Sequence, residues 1–307
     1  MGRTMSLLRT PEERFSDLPG FDYEPNYVEV DGARMAYVDE GGADGGGEAG
    51  ETILCLHGEP TYSFLYRKMI PRLSEVGRVV VPDFPGFGRS DKYPELDDYD
   101  YDLFFDALVG FVEALDLSRI TLVCQDWGGL LGLPLAALEM PERFARVVPM
   151  NTGLPDGTQE PAEEWWEFHD FVAEVEDLPI GTLVANGCAT DLPDGVVAAY
   201  EAPFPDASYK AGARAWPLLV PTSPDDGGAA KLRETQEAFR SWEKPAFVLF
   251  SDSDPITGGT RDPLREMIPT ASDQPDVWVE GAAHFLQEDA GEEIAEHVAD
   301  FVERTEP

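Results

Sequence analysis

Cys124-Gln125-Asp126-Trp127-Gly128-Gly129 is the stretch that decides the fold of this chain. It follows an apolar run at 120–124 and opens a helical pattern, so an acidic residue stands where a strand turns sharply into a helix. That is the setting of a nucleophile elbow, whose tight turn needs small neighbours. Cys124, Gly128 and Gly129 meet that need. The residue at the turn is Asp where a hydrolase would more often carry Ser. A carboxylate is ionised at neutral pH and attacks carbon without help from a base. Its product is an ester, which water must open, so a base has to lie elsewhere in the chain.

Outward from the elbow, further Val/Ile/Leu-rich runs stand at 52–56, 78–81 and 146–150. Helical patterns separate them at 63–75, 102–115 and 130–139. Continuously apolar strands alternating with helices predict a parallel sheet covered on both faces. Two shorter runs, 27–30 and 35–38, flank Asp31-Gly32 and read as a hairpin. The Gly-rich segment 41–51 reads as a loop. After Met150 the alternation stops. Up to about Gly228 the chain is rich in Pro, Trp, Phe and acidic residues, with helical pieces and no convincing strand. Strand signals resume at 246–251 and 277–279, and a helix at 288–303 ends the pattern. The expected division is a core at 1–151 and 229–307, interrupted by a helical cap at 152–228. Such an insertion is placed to close over the carboxyl ends of the strands, where open α/β sheets bind ligands.

Four histidines are candidates for the base. His284, in Gly281-Ala282-Ala283-His284-Phe285, directly follows the last short strand and fits the order nucleophile, acid, His. His297 and His169 sit in helical patterns and read as surface residues. His57, in Leu56-His57-Gly58-Glu59-Pro60, reads as a structural residue of the loop after a strand. An acid must orient His284 and stabilise its cation. Asp254, in Ser253-Asp254-Pro255, is the choice, with Asp252 as fallback.

Among the 307 residues, 60 are acidic and 22 basic, for a net charge of −38. That balance argues against nucleic-acid and anionic-membrane partners, both of which need basic patches. A surface so acidic repels itself unless salt screens it, so the chain reads as a salt-requiring protein from a halophile. No run approaches the eighteen or so apolar residues of a membrane span, and residues 1–14 lack a signal-peptide stretch. A cytoplasmic location is expected. Cys55, Cys124 and Cys188 have neither disulfide nor metal-ligand spacing.

The motifs together carry a resemblance. His57-Gly58-Glu59-Pro60-Thr61-Tyr62-Ser63-Phe64-Leu65-Tyr66-Arg67, then Asp83-Phe84-Pro85-Gly86-Phe87-Gly88-Arg89-Ser90-Asp91 and Gln125-Asp126-Trp127-Gly128-Gly129 resemble the haloalkane dehalogenases. Ala202-Pro203-Phe204-Pro205-Asp206 and the segment from Gly281 to Glu288 match as well. The resemblance implies an α/β-hydrolase fold with a mostly parallel eight-stranded sheet, helices on both faces and a helical cap. It implies hydrolysis of a haloalkane to a primary alcohol and halide, with a small apolar halogenated substrate and no metal or organic cofactor. Asp126 would displace halide and form an alkyl ester, and His284 with Asp254 would activate water. Backbone N–H groups of Glu59 and Trp127 would form the oxyanion hole, and the Trp127 indole would bind the halide.

Glu59 resembles the family branch whose second halide donor is a cap Trp. An ungapped reading puts Phe168 at that place, and Phe has no N–H to donate. Trp165, three residues earlier on the same helical face, is the expected donor, ahead of Trp166. The nearest rival is an epoxide hydrolase with Tyr200 and Tyr209 as ring-opening acids; Trp127 and Glu59 weigh against it. Fluoroacetate-type dehalogenases place Arg where Trp127 stands. A non-catalytic receptor would have no need of all three residues of the acid–base set.

Overall fold

The structure, a computed structural model, describes residues 7–42 and 50–306. Strands β1 (Asn26–Val30) and β2 (Ala33–Glu40) form the expected hairpin. Both turn residues have positive φ, Asp31 at 48° and Gly32 at 83°, the primed geometry that matches the twist of the strands. The expected loop at 41–51 lies largely outside the described residues.

Strand β3 (Thr52–Leu56) is buried at every position. The helix expected at 63–75 is broken into a 3-10 turn, Ser63–Tyr66, and a short α1 (Ile70–Leu73) with Pro71 in its first turn. Strand β4 (Arg78–Pro82) follows. Helix α2 (Tyr101–Ala114) starts at Asp100, whose carboxylate accepts the Leu103 N–H at 2.7 Å. Strand β5 (Ile120–Gln125) delivers the elbow, and α3 (Trp127–Pro134) leaves it with every residue buried. Strand β6 (Phe144–Met150) completes a six-stranded sheet in the order β1-β2-β4-β3-β5-β6. From β4 to β6 its neighbours are parallel.

Between β6 and the next core helix run α4 (Glu163–Glu174), α5 (Ile180–Asn186), α6 (Asp194–Glu201) and α7 (Ala211–Leu219), with no strand among the described residues there. Helix α4 packs on α7, and α5 on α6. Helix α8 (Ala229–Phe239) returns the chain to the sheet. Strands β7 (Phe250–Ser251) and β8 (Trp278–Val279), with α9 (Arg261–Met267) between them, form a parallel pair. Helix α10 (Leu286–Arg304) ends the described fold.

Among the described residues the eight expected strands are therefore present as six plus two. The run at 246–251 lies along β6, where Phe247 N–H bonds Val147 O at 2.9 Å and Leu249 N–H bonds Pro149 O at 3.1 Å. Only Phe250–Ser251 forms a regular ladder, and that is with β8. Pro149 explains the interruption, since it has no N–H to return to its neighbour.

Candidate active site

The elbow holds Asp126 in a strained conformation, φ 50° and ψ −122°. Such backbone costs on the order of 1–3 kcal/mol and persists only where its surroundings fix it. Here Asp126 N–H bonds Asn151 O at 3.0 Å, and Thr152 Oγ1 donates to Asp126 O at 2.7 Å. The glycines are forced by close approach. A Cβ on Gly58 would lie 2.4 Å from the Asp126 side chain, and one on Gly128 would lie 2.2 Å from Leu56 O.

Around Asp126 the structure brings together most of the residues singled out from the sequence. Glu59 N–H donates to Asp126 Oδ1 at 2.8 Å. His284 Nε2 lies 3.7 Å from Asp126 Oδ2, on the opposite oxygen. His284 Nδ1 faces both oxygens of Asp254, at 3.2 and 3.1 Å. Asp254 is itself oriented, because Ile256 N–H bonds its Oδ1 at 2.9 Å and Thr257 Oγ1 donates to Oδ2. Asp252, the fallback, is exposed and closes a turn by accepting from Gly281 N–H at 3.0 Å.

Burial pushes the Asp126 carboxyl up, and His284 together with the backbone N–H groups of Glu59 and Trp127 pulls partly against it. Burial alone would lower His284. The carboxylates of Asp254 and Asp126 outweigh that and raise it to about 9. Asp254 is lowered: its own burial would raise it, but the His284 charge and its hydrogen bonds prevail. His57 is fully buried and pushed down to about 4 by burial, so it stays neutral. Its Nε2 accepts the Phe84 N–H at 3.1 Å, leaving Nδ1 to donate to Gly58 O. It shapes the loop that carries Glu59.

Sequence reasoning missed three features. Asn151 ends β6 at the site, and its Nδ2 donates to Ser251 Oγ at 2.8 Å and to Ala283 O at 2.9 Å. A polar residue directly after the apolar end of a strand, 147–150, was the available signal. The Glu59 side chain is buried with both oxygens unbonded among the described residues. Burial and the nearby Asp126 charge raise its carboxyl well above the usual range, which favours the neutral acid. Trp216 of α7 lies parallel to Trp127, with centroids 5.3 Å apart and planes at 2°; no local pattern marked it.

The remaining candidates lie as follows. Trp165 is buried, and its ring packs on Trp166 and His169, with no ring contact to Trp127 among the described residues. Phe168 packs partly buried against the core. His169 pairs with Asp170, and His297 faces Glu293 on α10. The Tyr200 hydroxyl donates to Glu288, whose carboxylate also takes a two-point bond from Arg67.

Comparison with known proteins supplies the family. The alpha/beta hydrolase fold family matches residues 51–186. A haloalkane dehalogenase of Psychrobacter cryohalolentis is 44% identical over 304 residues, covering 97% of this chain and 98% of that one. Haloalkane dehalogenase 1 of Mycobacterium bovis is 45% identical over 302 residues, covering 98% and 100%. Among solved structures, the tetrameric haloalkane dehalogenase DpaA from Paraglaciecola agarilytica superposes with a TM-score of 0.87 at 41% identity, covering 95% of this chain and 97% of that one. No helix among the described residues is long and apolar enough to cross a membrane.

Proposed function

The chain belongs to the haloalkane dehalogenases, and from that premise we propose that it converts a small apolar haloalkane to a primary alcohol and halide through an ester on Asp126. The observation that carries the reading is the division of labour on one carboxylate. Glu59 N–H holds Oδ1, while Oδ2 faces His284.

Asp126 Oδ2 attacks the halogen-bearing carbon; the C–O bond forms as the C–halogen bond breaks, and the halide leaves with the electron pair. The indole N–H of Trp127, the residue after the nucleophile, receives that anion. Asp126 Oδ1 then becomes the ester carbonyl oxygen. His284 takes a proton from water, the hydroxide attacks Asp126 Cγ, and charge gathers on Oδ1, where Glu59 and Trp127 supply backbone N–H groups. Collapse releases the alkoxide, which recovers the proton from His284, and the acid left on Asp126 gives its proton to solvent, restoring the carboxylate. Asp254 orients the ring and stabilises the imidazolium.

Residues 152–228 serve as the cap over this site, and Glu59 puts the chain in the branch that relies on a cap tryptophan for its second halide donor. The epoxide reading is not favoured. Tyr200, one of its two required acids, is fully buried and already donates to Glu288.

Bromide release from 1,2-dibromoethane and 1-bromobutane in molar salt, measured beside turnover of styrene oxide, tests the proposal. Bromide release without epoxide turnover is expected; the reverse overturns it. In His284→Phe the Asp126 peptide gains the mass of the alkyl group, because ester formation proceeds and hydrolysis stops. A second proposal rests on the net charge of −38: the fold requires salt, as in a halophile. Its melting temperature then rises between low and molar sodium chloride, and a flat or falling one removes the reading.

A further inference from the structure

Gln125 ends β5, directly before the nucleophile, and is fully buried. Its side-chain Nε2 lies 3.2 Å from His284 Nε2 and 3.3 Å from His284 O. Its Oε1 finds no partner among the described residues. An unpaired buried acceptor costs stability, so a structural role alone accounts poorly for an amide at this place.

The His284 carbonyl settles which end of the amide faces the histidine. A carbonyl oxygen only accepts, so the NH2 group must point to it; turning the amide over would set oxygen against oxygen. The same NH2 group meets Nε2 of the ring. That nitrogen can accept only in the neutral ring whose proton sits on Nδ1, the nitrogen facing Asp254. In the imidazolium both ring nitrogens carry N–H, and the one on Nε2 would meet an N–H of Gln125. The charged groups acting on the ring are Asp254, from the loop after β7, and Asp126, from the elbow. Burial opposes the imidazolium, but the two carboxylates favour it and prevail. Glu59, from the loop after β3, feels the Asp126 charge and is held toward its neutral form. Gln125 is the polar neighbour whose dipole acts against the two carboxylates.

We propose that Gln125 is a positioning residue for ester hydrolysis: it holds His284 in the tautomer that accepts a proton at Nε2 and disfavours the imidazolium that results. The proposal rests on the base role given above to His284. The bond to His284 O keeps the amide in place when water takes over at Nε2. Once the proton has passed from water to Nε2, donor faces donor. When the alkoxide takes that proton away, the amide bond to Nε2 forms again. Gln125 thus drives the return of the proton.

Gln125→Met keeps the length of the side chain and lacks the N–H. Single-turnover hydrolysis of the alkyl ester, followed by rapid quench across the pH range, is the readout. The midpoint of that profile rises by about one pH unit in Gln125→Met, a tenfold change in the acidity of His284. A merely structural loss lowers the rate at every pH and leaves the midpoint in place; that result, or a midpoint that falls, overturns the proposal. His284→Phe is the control on the base itself. If it hydrolyses its ester like the wild type, the base is misassigned and the proposal falls with it. If it traps the ester while Gln125→Met keeps the wild-type midpoint, the proposal falls and the base role stands. Should Gln125→Met fail to fold, the wild type labelled with ¹⁵N-glutamine and ¹⁵N-histidine decides. The Gln125 side-chain N–H resonances then move downfield as His284 loses its proton, and resonances that stay fixed through that titration overturn the proposal.

Discussion

On one side of Asp126, His284 leans on Asp254, Asp254 is bonded to Ile256 and Thr257, and Asn151 pins the histidine loop to β6 and β7. On the other side, Trp127 meets the face of Trp216, whose N–H has no partner among the described residues, and the Glu59 carboxyl, which feels the Asp126 charge, has none either. The contrast follows from what each side handles. A base that takes and returns one proton works best when its neighbours do not have to reorganise. In the proposed reaction, a group that receives the halide has to be free beforehand, since a bond already made within the protein would have to be broken first. The neutral form favoured at Glu59 fits the proposed reaction, in which a second carboxylate beside Asp126 would repel the halide.

The contrast breaks most visibly at Asp254. In Asp254→Asn the amide no longer supports an imidazolium. Hydrolysis of the ester slows roughly 10³- to 10⁴-fold, while one equivalent of bromide per enzyme is still released in a burst. Rapid-quench measurement of bromide and bound alkyl group separates the two steps, and equal slowing of both would refute the division. A smaller effect comes from pH. His284 lies at about 9 in the free site, so the resting base is protonated at neutral pH. Forming the ester removes the Asp126 charge that helps hold this proton, and the histidine then titrates lower. Ester hydrolysis needs the neutral ring, so its rate rises with pH by up to about tenfold per unit below that pKa and then levels. Ester formation depends on ionised Asp126 and does not follow that curve. Single-turnover rates at several pH values show this, and a hydrolysis rate that falls as pH rises would contradict it.

The two sides also differ in how far the sequence discloses them. Asp126, Asp254 and His284 each follow an apolar strand within a few residues, so the strand ends place them with no knowledge of packing. The Trp127 side is assembled from helices whose mutual arrangement has no local signature. Helical spacing from Phe168 favours Trp165, whose ring packs on Trp166 and His169. Trp216 reaches Trp127 only through the packing of α7, about ninety residues further along the chain. Within the core, strands 52–56 and 120–124 needed little correction. The run at 246–251 lost its regularity to a proline on a neighbouring strand, a cause that sequence-local periodicity does not register.

The bonds that hold the helical segment are unevenly placed. Helix α6 and the turn after it are fastened to the core by the Tyr62 hydroxyl at Ala199 O, by Arg14 at Ala202 O, by Thr10 at Pro203 O, and by Tyr200 at Glu288. The loop after α5 is tied to Asp289 through the N–H groups of Ala189 and Thr190. Helix α4 has no side-chain hydrogen bond to the core among the described residues; its one polar side-chain pair, His169 with Asp170, is internal. Thermal motion is therefore shared out unequally, because lifting α6 breaks several polar bonds and lifting α4 breaks none.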